Sequence, residues 1–104
     1  SSYVTAFTIN IEGITGSARF NLSHRNLIGG GSIVYLRLKK NGSVVASWTT
    51  SSTTFVARSA DVSVVPGDVL IWEHYGTISN VGIQSTTATN GYAEAPLLIA
   101  ESDV

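Results

Sequence analysis

Cysteine and methionine are both missing from this 104-residue chain, and charged residues are scarce. Without cysteine, neither a disulfide bond nor a thiolate-bound metal can form. The chain does not begin with methionine, so we expect it to be a fragment or a processed product of a longer protein. Asp, Glu, Lys and Arg make up 12% of the residues, about half the usual fraction. A β-rich domain with so few charges often has part of its surface covered by a partner or by copies of itself.

Other absences narrow the class of protein further. The net charge is −1 and the six basic residues are scattered, so no basic stripe predicts binding to nucleic acid. The apolar runs are too short to span a bilayer, and no signal-peptide pattern is present, which predicts no membrane insertion. No apolar period of 3.6 residues persists for three turns, so we expect no helix. A hydrophobic content of 43% excludes a disordered chain, and the length fits one domain over residues 1–104.

Two turn signals stand out in the middle of the chain. Asn41-Gly42 lies between two runs of alternating apolar and polar residues. A type I′ hairpin turn needs φ > 0 at both of its central residues, and Asn followed by Gly tolerates that best. Pro66-Gly67 suits a type II turn, with Asp68 capping it by accepting backbone N–H bonds. We therefore predict three consecutive antiparallel strands between Ser32 and Asp68, arranged as a meander.

Alternation of apolar and polar residues predicts eight short strands in the whole chain. Consecutive glycines at Gly29–Gly31 place a loop tip between the second and third strands, and Arg58 interrupts an apolar face, which predicts a bulge near it. Strands at this spacing favour an all-β fold, an antiparallel β-sandwich of jelly-roll-like type. The predicted strands cover residues 3–11, 17–24, 33–40, 43–48, 55–64, 68–75, 78–84 and 92–100.

No set of residues predicts catalysis or metal binding. His24 and His74 are the only histidines, and no Gly-x-Ser-x-Gly elbow presents a nucleophile to either of them. The two histidines lie fifty residues apart without HxH or HExxH spacing, and no carboxylate-rich calcium loop is present. We expect two surface or rim histidines, no metal, no cofactor and no enzymatic activity.

Binding residues are easier to nominate. His24, Arg25 and Asn26 form a polar patch of hydrogen-bonding groups just before the glycine loop. Aromatic side chains offer a second type of surface, because an exposed flat ring can stack on the apolar C–H face of a sugar. Trp72 lies inside an apolar run and should belong to the core. The candidates for stacking or for a subunit interface are Trp48, Tyr75 and Tyr92. Tyr3 and Tyr35 could also stack on a sugar ring.

The central segment resembles a domain of tailed-bacteriophage virion proteins. The similarity runs from about residue 15 to residue 73 and includes Gly16-Ser-Ala-Arg-Phe-Asn-Leu, then Leu36-Arg-Leu-Lys-Lys-Asn-Gly, and then Asp61-Val-Ser-Val-Val-Pro-Gly-Asp-Val-Leu. Such domains recur at the distal ends of tail-fibre, tail-tip and host-specificity proteins. The residues after Tyr75 depart from the family's pattern, and no receptor-contacting residue can be carried over.

The resemblance implies a non-enzymatic structural or adhesion domain located in the virion tail or outside the cell. It also implies a homotrimer and, as a further partner, a glycan or protein receptor on the host surface. Two alternatives stay open: a carbohydrate-binding module of a larger enzyme or adhesin, and, as the last in rank, a small hydrolase that uses His24 or His74 as a base.

Overall fold

The computed structural model describes residues 3–27, 29–76, 80–89, 97–98 and 102–103. Within residues 3–76, six antiparallel strands form two sheets of four and two strands, and the expected all-β fold is confirmed. The strands are Val4–Asn10 (β1), Gly16–Asn26 (β2), Val34–Lys40 (β3), Ser43–Thr50 (β4), Val56–Val64 (β5) and Val69–Gly76 (β6). The four-stranded sheet has the order β1-β6-β3-β4, and β5 pairs with β2 in the second sheet. Within the described ranges no helix is long and apolar enough to cross a membrane.

Three further strand segments extend the second sheet. Asn80–Thr89 (β7) pairs antiparallel with β2, and the two-residue segments Leu97–Leu98 (β8) and Ser102–Asp103 (β9) pair with β7. The predicted seventh strand therefore continues to Thr89, five residues beyond its expected end. Its first two residues and most of the predicted eighth strand lie outside the described residues.

The core lies between the two sheets. Every second side chain of β3 points into it, and Val34, Leu36 and Leu38 are fully buried. This alternation is the pattern expected of a strand with one face on the core. Fully burying one large apolar side chain stabilises the fold by roughly 1.5–3 kcal/mol. The remaining buried apolar residues are Ile11, Ile14, Ala18, Phe20, Leu22, Val62, Val64, Leu70 and Trp72.

The predicted meander is wrong in its third strand. β3 and β4 form the expected hairpin, but β5 pairs with β2, and β6 rather than β5 flanks β3. Residues 51–55 carry the chain from one sheet to the other. The reason is burial: Val62 and Val64 cover the core only when β5 lies in the sheet opposite β3. Such a crossing leaves no local signal in the alternating pattern.

The predicted bulge near Arg58 is also wrong. The β2–β5 pair runs in unbroken register from Gly16 opposite Val64 to His24 opposite Val56. Arg58 occupies a core-side position on the strand without a bulge, because its guanidinium reaches two hydrogen-bond acceptors. In the described strands the irregularities in pairing lie between Thr5 and Phe7 in β1, at Val45 in β4, and between Leu22 and His24 where β2 pairs with β7.

Both predicted turns are confirmed, and one side chain links them. Asn41 and Gly42 have φ values of 50° and 87°, and Gly67 has a φ of 98°. The Asn41 Nδ2 donates to Asp68 Oδ1 at 2.9 Å, and its Oδ1 accepts from the Val69 backbone N–H at 2.9 Å. Asp68 also accepts from the backbone N–H of Val65 at 2.9 Å, which confirms the predicted cap. Asn41 thus supplies both the turn conformation and hydrogen bonds that link the β3–β4 turn to the β5–β6 turn.

Replacing Asn41 by alanine should lower the free energy of unfolding by about 3 kcal/mol. Each lost hydrogen bond is worth roughly 1 kcal/mol, and alanine adds the cost of a positive φ, about 1 kcal/mol. Asn41→Gly is the matched control, because glycine keeps the conformation and loses only the amide, so it should cost about 2 kcal/mol. Urea unfolding measures both. Values within about 0.5 kcal/mol of the wild type for both variants would show that this link is unimportant.

Candidate functional site

The side of the four-stranded sheet that faces away from the core carries large side chains in cross-strand rows. One row contains Glu73 and Arg37, which are direct partners in the register, with Thr5 and Ser47 at its two ends. The next contains Tyr75 opposite Tyr35. We call seven half-buried residues of this surface the tyrosine face, and they are Tyr3, Tyr35, Arg37, Lys39, Ile71, Glu73 and Tyr75.

Three tyrosine rings form a continuous row on this face. Tyr35 and Tyr75 are stacked, with ring centroids 4.5 Å apart and planes 8° from parallel. Tyr3 meets Tyr75 edge-on at 4.4 Å and 84°. Side chains stand roughly perpendicular to a sheet, and neighbouring strands lie about 4.8 Å apart, so rings on adjacent strands stack against each other. In this arrangement Tyr35 and Tyr75 each have one ring face covered by the other.

Charged groups hold the row in place. Arg37 Nε lies 2.6 Å from Glu73 Oε1, and Lys39 Nζ lies 3.7 Å from Glu73 Oε2. The guanidinium carbon of Arg37 is 3.6 Å from the centroid of the Tyr3 ring, a cation–π contact. Burial, and then the neighbouring Tyr75, raise the pKa of the Tyr3 hydroxyl above 10.0. The face is thus ordered in advance of any partner.

The expectation of surface or rim histidines is wrong. His24 and His74 are 0% and 1% exposed. β2 continues to Asn26, so His24 follows Phe20 and Leu22 on the core side of the strand, and His74 follows Trp72 on β6 in the same way. Both histidines therefore extend the inward row of apolar residues at one end of the sandwich.

Arg58 is the hydrogen-bond partner of His24. Its Nε donates to His24 Nε2 at 3.0 Å, and its Nη2 donates to the Thr49 carbonyl oxygen on β4 at 2.8 Å. Because Nε2 accepts, neutral His24 carries its proton on Nδ1, and that atom has no partner among the described residues. Burial, followed by the charges of Arg58 and His74, lowers the pKa of His24 from 6.5 to about 4. Burial also lowers the pKa of His74 to about 4.

This arrangement differs from a hydrolytic site. A catalytic histidine is normally oriented by a carboxylate that stabilises its charged form, whereas His24 has a guanidinium partner that disfavours it. In the part of the chain that the structure describes, no group of three or more His, Asp or Glu side chains could hold a metal ion.

The predicted patch His24-Arg25-Asn26 lies in β2 and not in a loop, and His24 and Asn26 point inwards. The Asn26 side chain donates to the Ser32 carbonyl at 2.8 Å and accepts from the Gly29 N–H at 3.0 Å, so it organises the glycine loop. Arg25 is half-buried with its guanidinium 4.7 Å from the centroid of the Phe55 ring. The structure thus gives Asn26 a role in folding rather than an exposed binding position.

The aromatic residues predicted as binding residues are Trp48, Tyr75 and Tyr92, and they lie in different parts of the chain. Trp48 packs against the core and stacks on Trp72 with centroids 5.8 Å apart, so its ring does not form an open platform. Trp72 is buried in the core as predicted. Tyr75 belongs to the tyrosine face, and Tyr92 lies outside the described residues.

The sequence did not single out Arg37 and Glu73 as members of a site. A usable signal was present: Tyr35, Arg37 and Lys39 alternate with the buried residues of β3, and Glu73 and Tyr75 alternate in the same way on β6. Knowing that β3 and β6 are neighbours would have brought the two sets together.

A scan against protein-family models found no matching family, and a search of the curated proteins found no match.

Proposed function

We propose that this chain is a non-enzymatic structural and adhesion domain of a bacteriophage tail or tail fibre that assembles as a homotrimer and contacts the host surface. The resemblance of residues 15–73 is one support. The observation that carries the proposal is the tyrosine row, an ordered aromatic surface on the side of a sheet that faces away from the core. Tyrosine and arginine are enriched at protein interfaces, and tyrosine buries a large area at low entropic cost because it has only two χ angles.

The low charge of the chain supports the same proposal. Charged residues are 12% of the sequence, and Val44, Val45 and Ile33 are 51%, 44% and 44% exposed. These aliphatic side chains lie on or beside the four-stranded sheet that carries the tyrosine face. Assembly of copies would remove them from water. In this proposal the complete chain forms a jelly-roll-like sandwich of about eight strands, in the virion tail or outside the cell, whose partners are copies of itself and a glycan or protein receptor.

The alternative function, a carbohydrate-binding module, rests on the same tyrosines. Sugar stacking needs a ring face open to solvent, whereas Tyr35 and Tyr75 each cover one face of the other and Tyr3 lies edge-on to Tyr75. That geometry favours a protein partner for the tyrosine row. Binding of a glycan by the monomer, lost in Tyr35→Ala, would favour the carbohydrate module instead.

The double variant Tyr35→Ser/Tyr75→Ser should weaken the trimer without unfolding the domain. One buried tyrosine at an interface contributes about 2 kcal/mol, equivalent to about a 30-fold change in the dissociation constant, so the loss of two should weaken association by at least that factor. Sedimentation velocity measures the association, and circular dichroism checks the fold. Arg19→Ser is the matched control, since Arg19 forms an exposed ion pair with Asp61 on the outer side of the other sheet. Equal association of all three proteins would exclude the tyrosine row as the assembly surface.

A further inference from the structure

The four-stranded sheet has two free edges in the described part of the chain. β1 and β4 are the outermost strands, each with a neighbour on one side only. An edge strand presents unpaired N–H and C=O groups that another strand can pair with. Natural proteins protect such edges with charged residues, proline, short strands or β-bulges, and β1 and β4 each have one irregularity in their pairing. Neither β1 (VTAFTIN) nor β4 (SVVASWTT) contains a charged residue or a proline.

Direct pairing of these edges is compatible with cyclic symmetry. Each neighbouring pair in the order β1-β6-β3-β4 is antiparallel, so β1 and β4 run in opposite directions. If copies are related by rotation about an axis along the strands, β4 of one copy meets β1 of the next in antiparallel orientation. A ring built in this way leaves no edge of the sheet unpaired. A two-fold contact between two β4 strands would leave both β1 edges open.

The side chains at the two edges match in this arrangement. Ser47 and Thr5 end the same cross-strand row on the outward side of the sheet, and both are small, polar and exposed. In the neighbouring row, Thr49 of one copy would lie beside Tyr3 of the next, which would make the tyrosine rows of the copies continuous. No like charges would face each other across the contact.

The irregularities of the two strands limit the length of the contact. The register shifts between Thr5 and Phe7 in β1 and at Val45 in β4, and a bulge disrupts pairing locally. Arg58 already donates one hydrogen bond to the Thr49 carbonyl. The regular run of β4 left for a partner is therefore Ala46–Thr50, a short strand whose contact needs the tyrosine rows beside it for stability.

We infer that copies of this chain associate edge to edge, with β4 of one copy pairing antiparallel with β1 of the next. This inference rests on the proposed function, because it assigns the contacting strands of the proposed trimer. It places the partner on a strand edge, where backbone hydrogen bonds give affinity, and it makes Thr5 and Ser47 neighbours across the contact.

Cysteine cross-linking tests the inference cleanly because the natural chain contains no cysteine. Three variants are needed: Ser47→Cys, Thr5→Cys and the double variant. With a short bismaleimide, only the double variant should form covalent dimers and trimers, since each link joins a β4 cysteine to a β1 cysteine. Ser59→Cys, on the exposed outer side of the second sheet, measures random collision and should form no product above that background.

The outcomes separate the inference from the proposed function. Cross-linking of Ser47→Cys alone, as efficient as that of the double variant, would show β4 against β4 and overturn the inference. A trimeric mass in solution without any specific cross-link would also overturn it and leave the proposed function standing. A monomeric mass for the wild type would contradict both the inference and the proposed function. Covalent trimers from the double variant alone, in a protein that is trimeric by mass, would support both.

Discussion

Replacing Trp72 by alanine is expected to lower the free energy of unfolding by about 3–5 kcal/mol. Trp72 is fully buried on β6, which lies between β1 and β3, and its ring stacks on that of Trp48. The loss has two parts, the transfer free energy of a large aromatic side chain and the cavity that remains between two sheets. A domain of this size has a stability of only about 5–15 kcal/mol, so the substitution should remove a large fraction of it.

Chemical denaturation followed by circular dichroism measures this change. Trp48→Ala is the matched control, because Trp48 stacks on the Trp72 ring but is only half-buried itself. This substitution should therefore lower the free energy of unfolding by only about 1–2 kcal/mol. Trp72→Phe keeps most of the volume and should fall between the two, which allows a measurement even where the alanine variant does not fold. Equal losses for Trp72→Ala and Trp48→Ala would contradict the position of β6 at the centre of the core.

Acid should destabilise the domain well above the pH at which its carboxylates titrate. The pKa values of His24 and His74 are lowered from 6.5 to about 4 in the folded protein. The unfolded chain therefore binds protons first as the pH falls below about 6.5, and the stability present at neutral pH is lost between pH 6.5 and about 4. Each unit of pKa difference is worth about 1.4 kcal/mol, so two histidines lowered by about 2.5 units each should together cost on the order of 7 kcal/mol.

Unfolding free energies measured between about pH 7 and about pH 4.5 test this linkage. Asp61 and Asp68 should interfere little, because hydrogen bonds from Arg19 and from Asn41 lower their pKa values below 3.8. His24→Gln keeps an acceptor for Arg58 but cannot titrate, so it should halve the slope of stability against pH. The double variant with His74→Gln should abolish most of the slope. An unchanged slope in the double variant would show that other groups cause the acid loss.

The class of fold was predictable because it depends on short-range patterns. Alternation in β1 to β5, the apolar run in β6, and the turn residues Asn41-Gly42 and Pro66-Gly67 each act within a few residues of chain, and the strands and turns that they predict were confirmed. The partner of β5 was not predictable in this way. Its position beside β2 depends on which pairing closes the core, and that is decided by residues about forty positions away.

The candidate site was predictable only in part, for the same reason. Tyr75 was predicted as a binding residue, but it belongs to a row of rings only together with Tyr35 and Tyr3. The pairing of neighbouring strands brings these three residues together, and the sequence pattern does not show that pairing. The histidines were misplaced because a polar residue at an inward position looks like a strand end in the sequence. Arg58 shows how the fold tolerates this: a long side chain from the edge strand β5 supplies the hydrogen bond that His24 needs.

The mass of the wild-type domain in solution tests the central claim most directly. Sedimentation equilibrium at micromolar concentration should give about three times the 11.0 kDa of one chain, as the proposed homotrimer requires. A mass of 11.0 kDa across the concentration range would contradict the account, because nothing would then connect the ordered tyrosine face with assembly.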